Sequence, residues 1–239
     1  LQGDCLDKLN EVQDGSVDLL LTDPPYNISQ SNNFSTMKSA NRQGVDFGNW
    51  DREFDLTSWI GQATNKVRNG GNIIVFNAWR NLGEISNALE ENGCVSKDII
   101  RMIKNNPMPR NRDRRFVVDY EFAIWAVKKK EKWTFNRIDE KYERPEVRVN
   151  VTPKSEKKFG SHPTQKPLDA MKWIIERLSN PHDIVLDCFM GSGSTGVAAL
   201  ELDRNFIGIE LDKHYFDTAT KRIEEINAKV VAEYIRKVE

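Results

Sequence analysis

Asp23, Pro24, Pro25 and Tyr26 close an apolar run that starts at Val17, in a chain of 239 residues. Proline fixes φ and lacks an N–H, and a second proline restrains the first, so the Pro24 carbonyl is held in one direction. The Asp23 carboxylate and that carbonyl form two acceptors able to take both hydrogens of one amino group. Such a pair suits an exocyclic amine whose lone pair is delocalised into a heteroaromatic ring. Holding both hydrogens draws the nitrogen towards tetrahedral geometry and aims its lone pair at an electrophile. Tyr26 supplies a face on which a planar base can stack. The plainer reading of the same four residues is a strand-ending Pro-Pro turn beside a partly buried tyrosine.

A second constellation runs from Asp187 through Phe189, Gly191, Gly193 and Thr195 to Gly196, after one apolar run and before a stretch of small residues. Glu210 ends the next apolar run, 19 residues beyond Gly191. Glycines let a backbone turn sharply and approach a nucleoside closely, and Glu210 can accept hydrogen bonds from both ribose hydroxyls. A dinucleotide would put two phosphates at the helix N-terminus, where the Asp187 carboxylate repels them. S-adenosylmethionine carries a sulfonium and an ammonium, which a carboxylate attracts. The loop therefore favours that ligand over a nicotinamide dinucleotide; a plain glycine turn is the bland alternative.

With both motifs read, the sequence resembles the SAM-dependent DNA amino-methyltransferases of the β arrangement, in which the DPPY block precedes the F-x-G-x-G block. The matching stretches are GDCLDKL, SVDLLLTDPPYN, HPTQKP, DCFMGSGSTG and FIGIELD, in that family's order and across nearly the whole chain. The resemblance implies that Asp23, Pro24, Pro25 and Tyr26 are catalytic. It implies a cofactor pocket of Asp187, Phe189, Gly191, Gly193, Thr195 and Glu210, with Asp4 on the cofactor adenine and Thr164 and Lys166 bordering the methionine end. A Pro-bounded turn before a helix explains Thr164 and Lys166 equally well, and His162 reads as a structural hydrogen-bonding residue. Cys188 departs from the family, which usually has proline there. The implied fold is a Rossmann-like α/β domain in circularly permuted motif order, with a mainly parallel seven-stranded sheet. Its one antiparallel strand would come from residues 117–127 or a neighbour.

The elements that must position these residues alternate as in βα units. Strands are expected at 17–21, 72–76, 95–103, 117–127, 184–186 and 206–209. Helices are expected at 55–68, 80–92, 168–179 and 194–202, with a terminal helix from about Asp212. Residues 27–54, 104–116 and 128–160 read as loops. The whole of 1–239 reads as one catalytic domain, and about 104–160 as a basic target-recognition insertion.

The formal net charge is −1, yet residues 101–166 hold 18 Lys+Arg against 9 Asp+Glu. A basic segment on an otherwise acidic chain is the footprint of a polyanion-binding face, or else a solvated surface. Arg110, Arg112, Arg114 and Arg115 are the chosen DNA contacts. Lys128, Lys129, Lys130, Lys132, Lys154, Lys157 and Lys158 meet phosphates or merely solvate the surface. Three widely spaced cysteines exclude a disulfide framework and a thiolate zinc site, and point to a reducing cytoplasm. No metal is expected, no apolar run is long enough to span a membrane, and no signal-peptide pattern opens the chain. The opening on Leu1 leads us to expect residues upstream of it.

The expected activity is methyl transfer from S-adenosylmethionine to adenine N6 in DNA, on a base flipped out of the helix. Cytosine N4 is the alternative; the family's cytosine members usually have serine where Asp23 stands. Cytosine C5 chemistry needs a Pro-Cys nucleophile that this chain lacks. Rivals from other classes are a nicotinamide oxidoreductase and a catalytically silent DNA-binding module. DNA, a second copy of the chain and a cognate restriction endonuclease are the partners the resemblance implies.

Overall fold

A computed structural model describes residues 1–27, 54–107, 113, 116–129, 131–138, 140–160 and 162–238. The short helix α1 (Cys5–Lys8) precedes β1 (Val17–Thr22), and α2 (Ile60–Lys66) runs directly into β2 (Val67–Asn77). Then come α3 (Leu82–Glu91), β3 (Cys94–Lys104), β4 (Tyr120–Lys128) and β5 (Glu146–Val149). The chain closes with α4 (Leu168–Leu178), β6 (Ile184–Asp187), α5 (Ser194–Glu201), β7 (Asn205–Gly208) and α6 (Lys213–Val238).

The strands form one seven-stranded sheet in the order β5-β3-β4-β2-β1-β6-β7. β4 runs antiparallel to both its neighbours, and the other described pairings are parallel. This is the sheet that the family resemblance implies, with its antiparallel strand in the 117–127 region.

Side chains alternate across a strand, so one buried strand feeds two cores. Leu20, Ile73 and Val75 pack under Trp59, Ile60 and Ala63 of the α2 region and Ile85 and Leu89 of α3. Leu19, Leu21, Ile74 and Phe76 face the other way, against Ala170, Met171, Ile174 and Ile175 of α4 and Ala198 and Ala199 of α5. Covering both faces leaves the C-terminal strand ends as the open edge, where open α/β sheets bind ligands.

Three expectations need correction. The helix read at 55–68 is confined to Ile60–Lys66, and Asn69-Gly70-Gly71 lies inside β2 instead of stopping a helix. Pairing overrides the local signal here: Val67 aligns with Val17, Arg68 Nε donates to Asp18 at 2.5 Å, and Gly70 adopts φ 72° where the register shifts. Residues 128–160 contribute β5, which pairs with β3 by way of Arg101 to Glu146 and Lys104 to Val149. β4 and β5 thus belong to the sheet although they lie within 104–160. The polar loop read at 27–54 falls almost wholly outside the described residues. No helix among the described residues is long and apolar enough to cross a membrane.

Asn72 ties the sheet to its surroundings. It is fully buried, donates to the carbonyls of Thr134 and Leu178 at 2.8 Å each, and accepts from Trp125 Nε1 at 2.9 Å. Asn72→Ala leaves buried groups without partners and should cost roughly 2–4 kcal/mol in urea unfolding. A loss below about 0.5 kcal/mol, the range of surface substitutions, would show that water replaces these bonds.

Candidate active site

β1 and β6 are neighbours, with Leu19 opposite Val185 and Leu20 opposite Leu186, so Asp23 and Asp187 emerge side by side. Thr22 joins the two ends: its hydroxyl donates to Asp187 Oδ1 at 2.8 Å. Asp187 also accepts from the Phe189 N–H at 3.1 Å and, on Oδ2, from the Thr195 hydroxyl at 2.7 Å. A carboxylate offers about four acceptor positions, so three are taken. Burial pushes the Asp187 carboxyl up to about 6, against the pull of those hydroxyls and that amide; the neighbouring Asp23 charge adds to the rise.

The glycine loop then turns back over the sheet. Gly191 has φ 51° and Gly193 φ 78°, left-handed values that favour glycine. A Cβ on Gly193 would stand 2.9 Å from the Ala219 Cβ of α6. Glu210 closes the loop by accepting the Gly191 N–H at 2.9 Å and the Asp212 N–H at 2.8 Å, one on each oxygen. Burial raises its pKa from the ordinary glutamate value. From α6, the buried Arg222 donates to the Ser192 carbonyl at 2.5 Å and braces the loop from behind.

These contacts test which ligand the loop fits. The Phe189, Met190, Gly191 and Gly193 amides are bonded within the protein, to Asp187, Ile209, Glu210 and Met190. A loop built to cradle a pyrophosphate would keep such amides for the anion. Asp4, Asp187, Glu210 and Asp212 surround the turn instead, and acids suit a nucleoside that carries positive charge. Among the described residues, no group of three or more His, Cys, Asp or Glu could hold a metal ion.

The expected cofactor residues divide by position. Gly191, Gly193 and Glu210 form the turn and its acidic end. Asp4 is exposed beside them: it caps α1 by accepting the Leu6 N–H at 2.9 Å, and Gly3 N–H donates to the Glu210 carbonyl at 2.9 Å. Thr195 faces Asp187. Phe189 packs edge-on against Phe54 and Trp59, with ring centroids 5.4 and 5.2 Å away. Thr164 lies against His162, whose Nδ1 is 3.0 Å from the threonine hydroxyl. The His162 ring stands edge-on to Tyr215 and over Gly191. Burial, with the Lys166 charge behind it, brings its pKa down to about 4, so it is neutral at physiological pH.

On the other half of the cleft, Pro24 is buried, Pro25 and Tyr26 are half-buried, and the Tyr26 hydroxyl donates to Asp23 Oδ1 at 2.5 Å. Asn27 follows in a left-handed conformation, φ 54°, and its side-chain amide clasps the Phe54 backbone at both N–H and carbonyl. Lys166 belongs to this half of the cleft. Its ammonium pairs with Asp23 Oδ2 and lies 3.2 Å from Glu121 Oε2. Sequence reasoning missed Thr22, Glu121 and Arg222. Thr22 could have been suspected, since it directly precedes Asp23; the other two carry no local signal.

Arg110, Arg112, Arg114, Arg115 and Lys130 lie outside the described residues. Of the remaining candidate lysines, Lys128 donates to the Thr64 and Val67 carbonyls at 2.8 and 2.9 Å, an internal task. Lys158 pairs with Glu225 of α6. Lys129, Lys132, Lys154 and Lys157 are exposed.

Known proteins match both the sequence and this arrangement. Type II methyltransferase M2.MboI of Moraxella bovis is 33% identical over 251 residues, covering 99% of this chain and 91% of that protein. The crystal structure of the M1.HpyAVI–SAM complex superposes with TM-score 0.75 at 42% identity, covering 93% of this chain and 97% of that one. PvuII DNA methyltransferase (cytosine-N4-specific) shares the fold at TM-score 0.72 and 16% identity, covering 97% of this chain and 91% of that one. The family model N6_N4_Mtase, described as DNA methylase, matches residues 17–221, from the first residue of β1 into α6 and so across both halves of the cleft. The chain belongs to this family and is a DNA methyltransferase of the N6/N4 class.

Proposed function

We propose that the protein methylates the N6 amino group of adenine in DNA, on a base turned out of the helix. The observation that carries this reading is the adjacency of Asp23 and the glycine loop at the ends of two paired strands, joined by the Thr22–Asp187 hydrogen bond. S-adenosylmethionine is the cofactor; the family match and the SAM complex of the 42%-identical M1.HpyAVI support it. When bound, it supplies a methyl group activated by a sulfonium.

The chain's own residues do the rest. Glu210 keeps acceptor capacity for ribose hydroxyls beyond its two backbone bonds, and the buried Asp187 favours a cation near the loop. Asp23 and the Pro24 carbonyl accept the two amine hydrogens and aim the nitrogen lone pair along the line of transfer. Tyr26 holds the Asp23 carboxylate by its hydroxyl and borders the space for a planar base. An amino group stacked inside a duplex is beyond reach of such a pair, so the base must leave the stack. Asp23 itself supports adenine over cytosine. The fold does not separate the two bases, since the cytosine-N4-specific PvuII DNA methyltransferase shares it.

The same proposal takes 1–239 as one catalytic domain and the basic stretch within 104–160, outside its sheet strands, as the DNA-recognition region. Arg110, Arg112, Arg114 and Arg115 are its strand contacts. The type II methyltransferase relative supports a restriction–modification setting. The proposal adds a cytoplasmic location, a cognate endonuclease and self-association into a homodimer, which rest on the family resemblance alone.

Glu210→Ala should weaken S-adenosylmethionine binding by roughly 1–3 kcal/mol, because ribose hydroxyls lose a charged acceptor and the Gly191 turn loses its anchor. Unchanged affinity in calorimetry would remove Glu210 from the site. Expression in a methylation-free host, followed by nucleoside mass spectrometry, tests the activity itself. N6-methyladenine should accumulate in the host DNA; N4-methylcytosine in its place would overturn the adenine assignment.

A further inference from the structure

Four charged side chains of alternating sign run along the sheet face that carries Leu21 and Phe76. Lys104, the last residue of β3, lies 2.5 Å from Glu121 Oε1 on β4. The second Glu121 oxygen is 3.2 Å from the Lys166 ammonium, which pairs in turn with Asp23 Oδ2. Lys166 is only 7% exposed, and a lysine is rarely buried to that degree unless paired. Its three donor hydrogens face three acceptors: Asp23, Glu121 and, at 3.3 Å, the Tyr26 hydroxyl oxygen. Asp23 is thereby gripped on both oxygens, by Lys166 on Oδ2 and by Tyr26 on Oδ1. That fixes the plane of the carboxylate and leaves about two of its four acceptor positions for an incoming amine.

We propose that Lys166 is a positioning residue for methyl transfer: anchored by Glu121, and through it by Lys104, it holds the Asp23 carboxylate charged and oriented to accept a hydrogen of the target amine. This rests on the reading of Asp23 as that acceptor. It gives Lys166 a task different from bordering the cofactor, and Glu121 a task that its sequence neighbourhood does not suggest.

The electrostatics supply the reason such a clamp is needed. Burial drives the Asp23 carboxyl above the ordinary range; the Lys166 charge opposes that rise, and the Glu121 charge adds to it. Glu121 is penalised by burial too, but Lys166 and Lys104 outweigh the penalty and hold it at about 2. Lys166 is disfavoured by burial and kept protonated by Asp23 and Glu121, which raise its pKa. The other groups that face this cluster are Asp187 from β6, Tyr26 from the Asp23 turn and the neutral His162 from the Lys166 segment. Without the ammonium, Asp23 would protonate at a higher pH, and a protonated acid is the weaker acceptor.

The test is single-turnover methylation of DNA from a methylation-free host between about pH 5.5 and 9.5, with S-adenosylmethionine affinity measured by calorimetry on each variant. Lys166→Met should lose roughly 100-fold at neutral pH and regain rate as pH rises, because the acid limb moves upward. Lys166→Arg should stay within about tenfold of the parent, since a guanidinium can pair with the same two carboxylates. Glu121→Gln removes a charge that raises the Asp23 pKa, so its acid limb should move the other way, downward, while its rate falls by less than that of Lys166→Met as Lys166 loses an anchor. Cofactor affinity should stay within about twofold throughout. An unmoved acid limb in Lys166→Met, or a fall in cofactor affinity large enough to explain its lost rate, overturns the proposal and assigns Lys166 to the cofactor pocket. If Lys166→Met does not fold, the acid limb of Glu121→Gln and the rate of Lys166→Arg decide in its place. Normal methylation by Asp23→Ala would be a different failure, that of the amine-acceptor reading beneath.

Discussion

The ends of β1 and β6 lie next to one another in the sheet, and each delivers a carboxylate, Asp23 and Asp187, into surroundings that penalise its charge. Holding an ionised carboxylate away from water costs several kcal/mol unless hydrogen bonds or a countercharge compensate. The fold answers differently at the two ends. Asp187 receives neutral donors only, two hydroxyls and an amide, so its negative charge is solvated but not cancelled. Asp23 receives an ammonium, which in turn requires Glu121, which in turn meets Lys104. A buried uncancelled charge attracts a cationic ligand. A half-buried, balanced and clamped carboxylate is suited to receive hydrogens from a neutral amine. The proposed division between a cofactor half and a base half follows from which compensation each acid was given.

The order of the motifs along the chain has no bearing on this chemistry. Strand pairing alone brings 17–22 beside 184–187, so either could come first. What the order does require is a segment that crosses the cleft, and HPTQKP is that segment. His162 lies over Gly191, Gln165 accepts from the Ser192 hydroxyl at 3.1 Å, and Lys166 reaches Asp23 before Pro167 starts α4. Both half-sites are therefore fixed to one short stretch of backbone. Lys104 adds a further link, because it stands where β3 gives way to the basic stretch proposed to meet DNA.

Much of this was legible in the sequence because it is local. An apolar run ended by Asp-Pro-Pro reads as a buried strand delivering an acceptor pair, and Gly191 and Gly193 do adopt the left-handed values that their loop implies. β5 was not legible: its four residues alternate Glu146, Val147, Arg148, Val149 within a charged stretch, too short for a period of two to stand out. The start of β2 was hidden by Asn69-Gly70-Gly71, a helix-stop signal that cross-strand pairing overrides. Partnerships were the least legible. Lys166 and Asp23 are 143 residues apart, and Arg222 reaches Ser192 across 30. A motif says which residues gather at a cleft; Asp187 and Thr195 gather there and face one another.

The most direct measurement is a crystal structure of the protein with a non-transferring cofactor analogue and DNA that contains its target. The account predicts the target amine nitrogen about 2.7–3.2 Å from both an Asp23 oxygen and the Pro24 carbonyl, with Glu210 on the ribose hydroxyls. A target base whose amine is held by other groups, beyond about 3.5 Å from Asp23, would contradict it.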